Sequence, residues 1–316
     1  MGKQAREESG EDAGERSPWA DAGLADQDFV PGLYVVATPL GNAADVTLRA
    51  LWVLRRVDCI AAEDTRSTAP LLARFGLRQP LVALHRHNEH ASCAPLLERL
   101  ARGERVALVS DAGTPAICDP GAVLVRSAMD AGVRVMPIPG PSSLTAALSV
   151  AGLRAGNIRF IGFPSQRASE RKRQWLEIAA AADATVLFEA PHRIVATASE
   201  LAAVLASSRR VVVARELTKK FETVVATSAA DLPAVIEGMP TRGEYVVLID
   251  AAPDPQSEET ESALVDPVTA RWLAALATQM PAARAAAIAV KACGLPRAIL
   301  YRALLAGGAQ PPPVDE

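Results

Sequence analysis

Leu33-Tyr34-Val35-Val36-Ala37-Thr38-Pro39-Leu40-Gly41-Asn42 runs from a continuous apolar segment into a Pro/Gly turn, with Asp45 and Thr47 following where a helix should begin. A short apolar run bounded by turn residues is the signature of a strand covered on both faces. Downstream the pattern repeats. Strands are expected at Leu33 to Ala37, Cys59 to Ala62, Leu81 to Leu84, Val106 to Val109 and Val133 to Pro137. Helices are expected between them at Ala43 to Leu54, Ala69 to Phe75, Ala94 to Ala101 and Gly121 to Asp130. Such alternation predicts a mainly parallel α/β sheet. Ligands of such sheets sit beyond the carboxyl ends of the strands, so the strand-to-loop junctions are where chemistry is expected.

A second α/β block follows Gly152, with strands at Phe160 to Gly162, Thr185 to Glu189, Arg210 to Ala214 and Tyr245 to Ile249, and helices at Glu170 to Ala182 and Ile194 to Ala206. Ala251 to Asp266 is rich in Pro, Glu, Ser and Thr and reads as a linker. Beyond it, Val268 to Leu276, Ala282 to Cys293 and Arg297 to Leu305 read as short amphipathic helices, with a helix-turn-helix corner at Gly294-Leu295-Pro296. The expected division is an acidic, flexible tail (1–30), an α/β domain (31–150), a second one (151–250), a linker (251–266) and a helical domain (267–310).

The 316 residues exceed what one core usually serves, and no apolar run approaches the ~20 residues of a membrane span. The N-terminus lacks a signal-peptide core, so a soluble, cytoplasmic protein is expected. Cys59, Cys93, Cys118 and Cys293 show no metal or disulfide spacing. The net charge of −3 conceals a strong division. Residues 1–30 hold three Lys or Arg against eight Asp or Glu, and residues 250–266 hold six acids and no base, leaving the remainder at about +8. A basic body with acidic appendages is compatible with a polyanionic partner.

Three junctions carry the candidate chemistry. The first has only Gly41 where a dinucleotide site needs G-x-G-x-x-G, which disfavours a dinucleotide cofactor and leaves a tight turn as the alternative. The second, Ser110-Asp111-Ala112-Gly113-Thr114-Pro115, puts a carboxylate at a strand end and a glycine where backbone can approach a ligand; an Asx-turn is the alternative for Asp111. The third, Pro139-Gly140-Pro141-Ser142-Ser143-Leu144, offers N–H groups and hydroxyls suited to a carboxylate.

These segments, with Ala61-Ala62-Glu63-Asp64-Thr65-Arg66, His87-Asn88-Glu89, Gly162-Phe163-Pro164, Pro191-His192-Arg193 and Ala214-Arg215-Glu216-Leu217-Thr218-Lys219, resemble in order and spacing the motifs of the rRNA small subunit methyltransferase I family, within the tetrapyrrole-methylase-like superfamily. The resemblance spans about residues 31–306. It implies two α/β domains of the tetrapyrrole methylase type with the cofactor cleft between them, plus a small C-terminal helical domain. It further implies S-adenosyl-L-methionine as cofactor, 2′-O-methylation of a cytidine in the decoding region of 16S rRNA, action on 16S rRNA or the 30S subunit, and a homodimer. Carried over by position, cofactor contacts fall at Pro39, Leu40, Asp111, Thr114, Ser142 and Ser143, and near Glu189, Glu216 and Tyr245.

Ribose methylation needs an aligned hydroxyl and a proton acceptor but no metal. His85, His87, Glu89 and His90 lie too close on one stretch to converge on an ion, so no metal is expected; capping, ribose or phosphate contacts suit His87, Asn88 and Glu89. Glu63 or Asp64 is the expected proton acceptor, with Arg66 orienting a phosphate; an internal ion pair capping the following helix is the alternative. Arg193, Arg215 and Lys219, with His192, are candidate RNA contacts, as are Arg167, Arg171 and Arg173 in a basic loop entering a helix. A precorrin-type C-methyltransferase and a non-catalytic RNA-binding assembly protein are the competing readings.

Overall fold

The computed structural model describes residues 22–24, 27–85, 89–154, 156–252 and 265–306. Strands β1 (Gly32–Val36), β2 (Cys59–Ala62), β3 (Leu81–Ala83), β4 (Arg105–Val109) and β5 (Val135–Ile138) form one sheet in the order β3-β2-β4-β1-β5, every pair parallel. Helices α1 (Leu48–Arg56), α2 (Thr65–Arg74), α3 (Glu89–Ala101) and α4 (Ala122–Asp130) connect them. The period-two alternation divides the apolar strands between two cores. Tyr34, Val36, Ile60, Ala62, Ala107 and Val109 pack in the core that holds α1, while Leu33, Cys59, Ala61, Val106 and Leu108 pack in the one that holds α3 and α4. Both faces are thus covered, as uninterrupted apolar strands require.

Packing begins upstream of residue 31, within the stretch read from sequence as tail. Leu24 is buried, and the Phe29 ring lies 5.0 Å from Tyr34 and 5.1 Å from Trp52. These apolar side chains bury despite the acidic residues around them.

Helix α5 (Ser143–Ala151) leads to the second sheet: β6 (Ile158–Phe160), β7 (Ala184–Glu189), β8 (Arg210–Arg215), β9 (Thr223–Ser228) and β10 (Tyr245–Ile249), ordered β6-β7-β10-β8-β9. Only β6–β7 is parallel; β10 inserts antiparallel between β7 and β8, and β9 makes an antiparallel pair with β8. Helices α6 (Ala168–Ala179), α7 (Ile194–Val204) and α8 (Leu232–Glu237) accompany this sheet, and Trp175, Ile194 and Ile236 fill its core with Leu187, Val213 and Val247. On the opposite face, Ala147 and Ala151 of α5 pack against Val186, Val212 and Val246. The two sheets belong to one compact unit ending at Asp250.

Residues 180–183, 251–252 and 265–306 belong to a second unit. It contains α9 (Pro267–Ala277), α10 (Ala282–Cys293) and α11 (Arg297–Ala306) around Leu273, Ala285, Ala289 and Leu300. The Asp266 carboxylate caps α9 by accepting from the Val268 and Thr269 N–H groups at 2.9 and 3.0 Å. Among the described residues no helix is long and apolar enough to cross a membrane.

Candidate functional site

The loops that follow β1, β4 and β5 are tied to one another. Thr38 and Gly113 exchange two backbone hydrogen bonds of 2.9 Å, the Thr38 hydroxyl donates to the Ser110 carbonyl at 3.1 Å, and the Thr114 hydroxyl donates to Pro141 O at 3.0 Å. Gly113 has φ +78°, and a Cβ there would lie 3.1 Å from Leu40 Cδ2, so both conformation and space call for glycine. Beneath these loops opens a cavity of about 390 Å³, of ligand-binding size.

Leu40, Asp111, Gly113, Thr114, Ser142, Ser143, Glu189 and Tyr245 all line it. Pro39 lines a smaller adjoining hollow instead. Glu216 departs from expectation. At φ +52° its carboxylate turns to Lys219 Nζ, 3.0 Å away, and accepts from Glu244 N at 3.1 Å; the neighbouring Leu217 and Glu244 reach the cavity in its place. Ser142 occupies the N-cap of α5 without making a side-chain cap bond, leaving its hydroxyl on the cavity wall. Ile117, Cys118, Asp119 and Phe188 also line the cavity and were not singled out from sequence, and Phe163 of the Gly162-Phe163-Pro164 motif joins them. The Phe163 and Phe188 rings meet edge to face at 5.7 Å.

Five carboxylates, Glu63, Asp111, Asp119, Glu189 and Glu244, line the cavity, while no Lys, Arg or His does among the described residues. Acidic groups beside aromatic and aliphatic walls suit a cationic ligand with a flat ring system. Glu189 also builds the wall. Its side chain is fully buried, accepts from the Thr197 hydroxyl at 2.6 Å and Ala190 N at 2.8 Å, and lies 3.3 Å from Arg193.

The side chains of the Glu63-Asp64-Thr65-Arg66 motif go to two different places. Glu63 faces the cavity, and its Oε2 accepts from Asp111 N at 3.4 Å. Asp64 instead caps α2, accepting from Arg66 N at 2.8 Å, and pairs with the Arg66 guanidinium at 2.7 Å. That hydrogen bonding holds the Asp64 carboxyl at about 2, far below a useful proton acceptor. The internal ion-pair reading therefore describes Asp64 and Arg66, and Glu63 remains as the candidate base. Asp111 accepts from Asp64 N at 3.2 Å and from the Ser67 hydroxyl, which fixes its carboxylate at the cavity rim.

Most of the candidate RNA-binding cations have partners inside the protein. Arg171 forms two 2.8 Å bonds with Glu200. Arg193 pairs with Glu189 and donates to Pro164 O at 3.1 Å. Arg215 is buried, donates to Arg242 O at 2.9 Å and lies over the Tyr245 ring. Lys219 bridges Glu216 and Glu244, and its stem packs so closely on Gly41 that a Cβ there would lie 2.3 Å from Lys219 Cγ. These four position loops rather than present free charge. Arg167, Arg173 and His192 are exposed, the two arginines pairing with Glu170 and Glu177 of α6. His87 and Asn88 lie outside the described residues. Glu89 takes the capping role, accepting from Gly121 N and Val123 N at 2.8 and 3.0 Å at the start of α4.

A pH dependence follows from Arg171. Its guanidinium, helped by the Trp175 indole N–H, holds the Glu200 carboxyl at about 2, below the ~4.3 of an unfolded glutamate. The pair's stabilisation is therefore complete above about pH 4.3 and is lost as pH falls toward 2. Because the Glu200 carboxylate is partly open to water, Arg171→Ala should cost only about 1 kcal/mol at pH 7, and it should flatten the acid-unfolding curve between those values, as followed by circular dichroism. Arg173→Ala should change neither.

Comparison with known proteins agrees with this geometry. Residues 32–233 match the family described as Tetrapyrrole (Corrin/Porphyrin) Methylases, which makes the chain a methyltransferase of that fold. Residues 263–308 match the RsmI C-terminal HTH domain. Ribosomal RNA small subunit methyltransferase I of Xylella fastidiosa strain Temecula1 is 43% identical over 86% of this chain and 98% of its own length. That of Escherichia coli O157:H7 is 42% identical over 85% and 93%. The chain belongs to the ribosomal RNA small subunit methyltransferase I family, and its methyl donor is S-adenosylmethionine. The fold is shared more widely. Uroporphyrin-III C-methyltransferase from Thermus thermophilus, in complex with S-adenosylhomocysteine, superimposes with a TM-score of 0.50 at 18% identity, over 69% of this chain and 96% of that one.

Proposed function

We propose that the cavity holds S-adenosylmethionine and that the enzyme, a cytoplasmic homodimer, methylates the ribose 2′ oxygen of a cytidine in the decoding region of 16S rRNA within the 30S subunit. The observation that carries the donor site is the acidic, aromatic-walled cavity, which matches a sulfonium and an ammonium beside an adenine. When bound, the donor supplies a methyl group already activated on sulfur. The protein's tasks are therefore alignment and proton removal.

Phe163, Phe188 and Leu217 offer apolar surface to the adenine, and the Ser142 and Ser143 hydroxyls at the start of α5 suit the donor's carboxylate. Asp111 and Glu244 balance its positive charge, with Leu40 and Gly113 closing over it through the Thr38–Gly113 tie. Glu63, on the cavity wall, is the residue we assign to accept the ribose hydroxyl proton. The acceptor nucleic acid is supported by the rRNA enzymes that the chain resembles along almost their whole length, including the C-terminal helices.

The test is transfer of isotope-labelled methyl from S-adenosylmethionine to 30S subunits by the full chain, followed by nuclease digestion and nucleoside mass spectrometry. The expected product is 2′-O-methylcytidine. Label on a base, or incorporation into a precorrin and none into RNA, contradicts the proposal.

A further inference from the structure

A second hollow of about 180 Å³ adjoins the donor cavity, and Leu40 and Asp111 line both. Methyl transfer requires the acceptor oxygen to approach the donor's methyl group closely, so the acceptor must be held in a space that opens onto the donor cavity. The smaller hollow has the position and the chemistry for that role. Pro39 and Leu71 offer apolar surface, Thr68 offers a hydroxyl and Arg74 a guanidinium.

Two of these side chains point to a ligand. Thr68 is only 5% exposed, yet among the described residues nothing hydrogen-bonds its hydroxyl, whereas the adjacent Ser67 hydroxyl is engaged by the Asp64 carbonyl and the Asp111 carboxylate. Its hydroxyl lines the hollow and is open to a group from outside the chain. Arg74 lies at the end of α2, exposed, and makes no ion pair among the described residues. It contrasts with Arg171, Arg193 and Arg215, whose guanidinium groups the protein itself occupies. A cation left open at the rim of a hollow that meets the donor cavity suits a phosphate of the acceptor strand.

We infer that this hollow receives the acceptor nucleotide of an unpaired RNA segment. The base rests against Pro39 and Leu71, the Thr68 hydroxyl bonds the base edge or ribose, and Arg74 binds a flanking phosphate. The reactive hydroxyl stands at the wall formed by Leu40 and Asp111, next to Glu63. The inference rests on the RNA-acceptor reading above and specifies where that acceptor binds.

Leu71→Trp, which fills the hollow, and Arg74→Ala separate the two questions when each full-length variant is assayed on 30S subunits and titrated with S-adenosylmethionine by calorimetry. Leu71→Trp should lower kcat/KM for the subunit by about 100-fold or more while the donor's Kd stays within about twofold. Arg74→Ala should raise KM about 5- to 30-fold at little cost in kcat, reduce the salt dependence by about one counterion, and be partly rescued by Arg74→Lys. A folded Leu71→Trp enzyme with wild-type kcat/KM, or one whose donor affinity falls as far as its activity, overturns the inference. Should Leu71→Trp fail to fold, unchanged KM and salt slope in Arg74→Ala overturn it equally. Wild-type protein that transfers no methyl to RNA would instead sink the acceptor reading, and this subsite with it.

Discussion

Gly113→Val should cost at least tenfold in affinity for S-adenosylmethionine and about 1–3 kcal/mol in stability. The backbone at this position has φ +78°, where a β-branched residue is strained. Its Cβ would also press on Leu40 Cδ2, moving the side chain that separates the donor cavity from the smaller hollow. The Gly113 N–H and carbonyl both bond Thr38, so the strained residue cannot rotate away without breaking the tie between the first and fourth loops. Calorimetric titration with the donor and thermal unfolding measure the two effects, the latter at about 2–4 °C per kcal/mol for a chain of this size. Wild-type donor affinity in a folded Gly113→Val protein would show that these loops do not close over the donor.

Glu189→Ala should be strongly destabilising, at about 3–5 kcal/mol. Removing the carboxylate leaves the Thr197 hydroxyl and Ala190 N without their acceptor and the Arg193 guanidinium without its counter-charge, in a site where the Glu189 side chain has no solvent exposure. Glu189→Gln keeps an acceptor and the shape, and should cost about 1–2 kcal/mol. Urea unfolding monitored by tryptophan fluorescence reads the difference, because Trp175 packs in the same core. Equal stability for Glu189→Ala and wild type would mean that the carboxylate faces ligand alone and contributes nothing to the wall.

The first sheet was legible because its strands are covered on both faces. Val106 to Val109 and Cys59 to Ala62 read as continuous apolar runs, and such runs have few other stable placements. The second sheet was legible in its elements but not in its directions. Strand β9 escaped notice because Thr223–Ser228 is only partly buried and mixes Thr and Ser with Val, and nothing in local periodicity announces that β10, late in the chain, inserts between β7 and β8.

The cavity lining was legible where loops follow apolar strands, at Leu40, Asp111, Gly113, Ser142 and Ser143. It was less so for side chains set by tertiary partners. Arg171 resembles a phosphate ligand in sequence, but Glu200 occupies it from 29 residues away, and Arg215 spends its donors on backbone carbonyls. Residue type reports that a guanidinium is present, not whether the fold has already used it. Phe188 carried a usable signal. Alternation along β7 sends Leu187 to the core under α6 and α7, so Phe188 must face the opposite side, where the cavity lies.

The most direct test of the account is ribose-methylation mapping of 16S rRNA from cells with and without this chain. One decoding-region cytidine should carry a 2′-O-methyl group only where the wild-type chain is expressed, and should lose it when Gly113→Val replaces the wild type. An identical methylation pattern with and without the chain would contradict the account.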